Sequence, residues 1–207
     1  QPAKVQYWFK DFANCVFMDL SKLDTSKVTI MNKLFSGCSS LVSLDISGFS
    51  TSQVTNMAGM FLGCSKLTSM DLSHFDIAKV TSTTRMFQDC SSLVNLVLPT
   101  SGTPRMNVLV GMFQNCSSLV VLDLSGINTA KTTNASWMFE GCTSLTTIYA
   151  ASDADWSGIS TSDGMFNGCI NLVGGNGTEL DPDSVDASRA CVDGLNGKPG
   201  YFTVKTA

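Results

Sequence analysis

GMFLGCSKLTSMDLSHFD, residues 59–76, and GMFQNCSSLVVLDLSGIN, residues 111–128, are copies of one unit, and the reading of that unit decides the fold. Its anchor is a phenylalanine three residues ahead of a cysteine. The pair recurs as Phe12/Cys15, Phe35/Cys38, Phe61/Cys64, Phe87/Cys90, Phe113/Cys116, Phe139/Cys142 and Phe166/Cys169, with cysteine steps of 23, 26, 26, 26, 26 and 27. A fixed period in this range marks a solenoid, in which each coil covers its neighbour's core and the two ends need caps.

Ahead of the cysteine, Met57, Met60 and Phe61 stand at spacings of three and four, which predicts a short helical turn with Thr55 as its N-cap. The residue before each cysteine is Asn14, Gly37, Gly63, Asp89, Asn115, Gly141 or Gly168, all types that tolerate the left-handed backbone closing such a turn. After the cysteine, Leu41, Leu44 and Ile46, then Leu67, Met70 and Leu72, and their later counterparts, pass from a three-residue rhythm to strict alternation. Alternation predicts a short strand with one buried face. Stacked strands form a parallel sheet at about 4.8 Å spacing, so seven coils give a core of about 30 Å.

The unit MFxGCSSLxxLDLSGFxTSxVTNM, nearly verbatim over residues 31 to 88, resembles the BspA-like leucine-rich-repeat surface proteins, in the group with a mycoplasma-type domain of unknown function. The closing segment CVDGLNGKPGYFTV, residues 191 to 204, resembles the end of that group's array. Departures fall at Pro99 to Met106 and at Ala150 to Gly158. The resemblance implies a secreted or surface-anchored bacterial protein that adheres to host or neighbouring-cell ligands, and it supplies no catalytic residue. The expected fold is therefore an α/β repeat: a right-handed leucine-rich-repeat-like solenoid with a parallel β-sheet, short helical turns and end caps. Its divisions are an N-terminal cap over 1–14, a solenoid over 15–172 and a C-terminal cap over 173–207. Tyr7, Trp8, Phe9 and Phe12 are expected to plug the first coil.

Of 207 residues, 43% are hydrophobic and only 14% charged, so a large core lies under a hydroxyl-rich surface. A net charge of −4 argues against nucleic acid and anionic membranes, which require a basic patch. No apolar run long enough to span a membrane and no signal peptide stand out. Because the chain opens at Gln1, we read it as a mature or trimmed form with its export signal removed, located outside the cell or on its surface.

Seven of the eight cysteines occupy one position of successive coils, which predicts an inward ladder of reduced thiols facing loop carbonyls. Cys191 and Cys169 are left open as a pair that could bridge. No Cys-x-x-Cys occurs and His74 is the single histidine, so neither a metal nor a cofactor is expected.

Candidate ligand-binding residues lie on the outward strand face. One column reads Asp19, Asp45, Asp71, Val97, Asp123 and Tyr149, with Ser43, Ser69, Asn95, Val121 and Thr147 two positions earlier. Asp45, Asp71, Asp123, Tyr149, Ser43 and Ser69 are the favoured contacts. Each Asp either caps its own loop, as Asp does in turns, or shares a divalent cation, or forms a glycosidase-like acid pair; capping is preferred. A second column, Lys27, Gln53, Lys79, Arg105 and Lys131, is expected to be solvated and to screen the acids. With no convergent titratable groups, the functional expectation is a non-enzymatic, monomeric adhesion protein binding a protein or glycan. The alternative is a spacer that displays another module.

Overall fold

A computed structural model describes residues 2–100 and 106–206; Arg105 of the basic column lies outside the described residues. The chain is a parallel β-solenoid with almost no helix. Short strands recur once per coil: β1 Phe17–Asp19, β2 Ser43–Asp45, β3 Ser69–Asp71, β4 Asn95–Val97, β5 Val121–Asp123 and β6 Thr147–Ala150, with β7 Phe202–Val204 closing the array. β1 pairs with β2, β3 with β4, β5 with β6, and β6 with β7, all in parallel. The expected continuous sheet is thus three separate sheets, because β2 and β3 exchange no backbone hydrogen bond and neither do β4 and β5.

The opposite flank has no such breaks. Parallel bridges run Lys4, Ile30, Asn56, Ser82, Val108, Asn134 and Thr161 without a gap. Here the expected helical turn is replaced by consecutive tight turns. The amides of Met57, Gly59, Phe61 and Gly63 donate to Ser82, Thr84, Met86 and Gln88 of the next coil. Those of Met60, Leu62 and Cys64 close back onto the carbonyls of Met57, Gly59 and Phe61. An α-helix satisfies its own backbone and leaves a stacked neighbour's carbonyls unmet, so the stack selects the alternating pattern. The pattern needs a positive φ twice per coil, at Gly59 (60°) and Gly63 (74°). The second column is the one expected from the sequence. The first, which includes Lys33, Arg85 and Trp137, gave no composition signal because bulky residues occupy it.

Between the flanks lies a stack of phenylalanines. Phe9, Phe35, Phe61, Phe87, Phe113, Phe139 and Phe166 follow one another at centroid separations of 5.2–5.9 Å, nearly parallel. Burying one such ring stabilises by about 1.5–3 kcal/mol. The Met60, Met86, Met112, Met138 and Met165 column is buried beside it as core filler. In the first coil Phe9, not Phe12, holds the stacking position, and Phe12 meets it edge-on. This explains the short cysteine step. Cys15 is displaced by three residues and donates to the Phe17 carbonyl, whereas Cys38 donates to Phe9. Correspondingly the left-handed residue of that coil is Asp11 and not Asn14. Of the expected aromatic plug only Phe9 packs on the core; Tyr7, Trp8 and Phe12 are exposed.

The remaining rungs behave as expected. Cys64, Cys90, Cys116, Cys142 and Cys169 each donate to the phenylalanine carbonyl of the coil before, at 3.0–3.3 Å. Burial pushes the Cys90 and Cys169 thiols up to about 12. Cys191 donates to Pro199, apart from Cys169, so the two are not bridged. At the other end Tyr201 and Phe202 turn their ring edges to Phe166 and end the stack. Asp193 ties this cap together, accepting from the amides of Asn176, Thr178 and Gly200 and from the Thr178 hydroxyl. Gly48 permits the closest coil contact, since a Cβ there would lie 1.9 Å from the Ser21 carbonyl oxygen.

Candidate functional site

The strands leave their odd-numbered side chains outside. Ser43, Asp45, Ser69 and Asp71 are all exposed, while Leu44 is half-buried and Met70 is buried beneath them. They line a shallow groove of about 560 Å³ that runs over β2, β3 and β4 and also includes His74 and Val97. The groove coincides with the break between β2 and β3. A parallel ladder alternates its bonding direction along each strand. Ser43 and Asp45 bond toward β1, where the Ser43 amide donates to Val16 and Asp45 accepts from the Leu20 amide. The amide and carbonyl of Leu44 therefore face β3, which does not meet them.

Each strand aspartate also caps the turn that follows. Asp19, Asp45, Asp71 and Asp123 accept from the amides of Ser21, Ser47, Ser73 and Ser125 at 2.8–3.0 Å through Oδ1. This is the capping expected of the column. The Ser47 amide, with its hydroxyl, holds Asp45 below the usual carboxylate range. At Asp71 the Ser73 hydroxyl leads and its amide adds, again downward. Both groups are thus charged at neutral pH. Lys22, rather than the second column, is the cation that bears on Asp19 and Asp45. Lys27 acts on Asp24, and Lys79 Nζ donates to Gln53 within its own column.

The structure divides the six favoured contacts into two groups. Ser43, Asp45, Ser69 and Asp71 come together in the groove. Asp123 and Tyr149 lie opposite each other across β5 and β6 and outside it. There the chain covers its own face: Lys205 Nζ donates to Asp123 Oδ2 at 2.9 Å and sits 5.0 Å from the Tyr149 ring centroid. Partial burial works against the Asp123 charge, but the Ser125 hydroxyl and Lys205 outweigh it and hold the carboxyl low.

Sequence reasoning did not count Lys205, His74 or Val97 among the favoured contacts. His74 stands where Gly48 and Gly126 stand in other coils, a visible signal; its Nε2 lies 3.2 Å from the Ile46 carbonyl across the break. Val97 interrupts the aspartate column and gives the groove an apolar wall. Lys205 had no such signal, since only the pairing of β7 with β6 brings it there. Among the described residues no three His, Cys, Asp or Glu side chains converge to hold a metal ion, and no helix is long and apolar enough to cross a membrane.

Two family models cover most of this architecture. Residues 3–100 match the family described as Mycoplasma protein of unknown function, DUF285, and residues 83–176 match the BspA type leucine-rich-repeat region of 6 copies. Over residues 3–176 the chain is built of BspA-like leucine-rich repeats. No curated protein matches it. In this BspA-like chain the two matches overlap around Cys90, and the phenylalanine stack and thiol ladder run through that overlap unbroken. They are parts of one array. The repeat type is one of binding scaffolds, which fits a face that presents a row of side chains along an open groove.

Proposed function

We propose that this chain is a non-enzymatic bacterial surface or secreted protein, wound as a right-handed solenoid, that binds a protein or glycan on its sheet face. The contact residues are Ser43, Asp45, Ser69 and Asp71. The observation that carries the reading is the groove over β2–β4, in which the polar side chains of Ser43, Asp45, Ser69 and Asp71 stand exposed over a floor of Leu44 and Met70. The small polar residues there favour modest affinity multiplied over several copies of the ligand. Asp123 and Tyr149 enter only where Lys205 yields its place.

The test is binding of the purified chain to an array of host matrix proteins and glycans, beside a Ser69→Trp variant that fills the groove without touching the core. Saturable binding that the variant loses supports the reading. Binding that survives the variant moves recognition off this face, and an array with no binder at all leaves the spacer role.

A further inference from the structure

The solenoid contains one worked example of what its face accepts. At the C-terminal end an extended segment, β7, lies beside β6 and is followed by a lysine whose ammonium rests between a strand carboxylate and its neighbour across the sheet. That carboxylate is Asp123 and that neighbour Tyr149. Asp45 and Asp71 hold the same two positions of the second and third coils, three repeats earlier. Both are exposed and charged, and each gives Oδ1 to the amide of its own turn. A second carboxylate replaces the tyrosine ring, so the open pair offers a cation two negative charges where the filled pair offers one.

The floor of the groove adds a separate requirement. Where β2 and β3 part, the main-chain groups of Leu44 face a strand that does not bond to them. Exposed strand edges of this kind recruit extended chain, because main-chain hydrogen bonds are then supplied by the ligand. A glycan has no equivalent repeat of amides and no cation. A peptide carrying lysine or arginine has both.

We infer that the Asp45–Asp71 groove receives an extended segment of a protein partner and holds a lysine or arginine of that segment between the two carboxylates. This rests on the sheet-face reading above and narrows it to one ligand class. The ammonium takes the place that Lys205 takes over Asp123, the partner's main chain runs along the β2–β3 break, and Val97 and His74 close the groove on the side toward β4. The contact is exposed, so salt weakens it.

The test is a titration of the ¹⁵N-labelled full chain with the octapeptide acetyl-(Thr-Lys)₄-amide, with acetyl-(Thr-Glu)₄-amide as counterpart. The lysine peptide should shift the amides of residues 43–47 and 69–73 saturably, and the glutamate peptide should not. An Asp45→Asn/Asp71→Asn variant keeps an Oδ1 acceptor for each turn, yet should bind about tenfold more weakly, the order of one charge-assisted hydrogen bond. Asp183→Asn, a charge change far along the chain, should leave the affinity as it was. Absence of shifts with the lysine peptide, equal shifts with both peptides, or undiminished affinity in the double variant overturns the inference.

Failure here is separable from failure of the proposed function. If Ser69→Trp abolishes array binding while the lysine peptide moves no amide, the face is the binding surface and only the ligand class is wrong. If the lysine peptide binds at Asp45 and Asp71 while array binding survives Ser69→Trp, the opposite holds.

Discussion

The N-terminal and C-terminal halves of the sheet face are built from the same repeat and end in opposite states. Between β2 and β3 the sheet parts and the carboxylates of Asp45 and Asp71 meet solvent. Over β5–β7 three strands bond without a break, and the equivalent carboxylate is taken by Lys205 from 82 residues away. What a repeat position does is therefore set by what is laid against it as well as by its own residue. A column read from sequence gives candidates, and only register against distant segments sorts them into occupied and open.

Removing the anchor of the closed half tests this contrast most severely. Phe202 is fully buried against Trp156 and Phe166, so Phe202→Ala should cost about 3–5 kcal/mol. Thermal unfolding measures that loss. The same variant should release β7 and make the C-terminal face resemble the N-terminal one, seen as new solvent exposure of Tyr149. A cost below about 1 kcal/mol would mean that the cap does not hold that half closed.

Amide exchange compares the two halves without mutation. Leu44, which faces the break, should exchange at least about tenfold faster than Tyr149, the equivalent of roughly one backbone hydrogen bond. Equal protection would mean that β2 and β3 close in solution. Lys205→Ala is a gentler perturbation. The ion pair is partly exposed, so its loss with that of the ring contact should barely move the thermal midpoint. Yet the variant should gain shifts around Asp123 and Tyr149 when the lysine peptide is added, which the parent chain lacks.

The smallest effect is on pH. Asp45 and Asp71 have their folded-state values lowered by bonds from Ser47 and Ser73. A depressed carboxyl contributes stability that is present above its unfolded value, about 3.9, and is lost as pH falls through the folded value. Carboxyl NMR should place both midpoints below 3.9, and acid should start to weaken the caps only below about pH 4.

Much of this molecule was legible in the chain. The period fixed the stacked coils, the alternation after each cysteine fixed the strands, and the general preference of aspartate for turns gave the capping. The helical turn was misread because spacings of three and four also fit consecutive tight turns, and the choice between them depends on a neighbouring coil's carbonyls. The first repeat was misread because Phe12-x-x-Cys15 imitates the motif three residues out of place, although Phe9 stands 26 residues before Phe35. Of the groove, the outward placement of Ser43, Asp45, Ser69 and Asp71 was readable by position. The break between β2 and β3 and the arrival of Lys205 were not, since no local residue pattern encodes either.

The alternating amides of the unbroken flank give the array a direction and a unit of length. Every coil donates N–H groups to the next and accepts them from the one before, so any coil with the same columns fits between any two others. Gain or loss of 26 residues keeps rings, thiols and carbonyls in step, as on a ratchet. A single added residue must be absorbed in a loop, as happens between Tyr149 and Thr161, where Tyr149 still pairs in step with Asp123 but Thr161 follows Asn134 by 27. Evolution can therefore change the reach of this protein in whole notches while leaving each binding position intact.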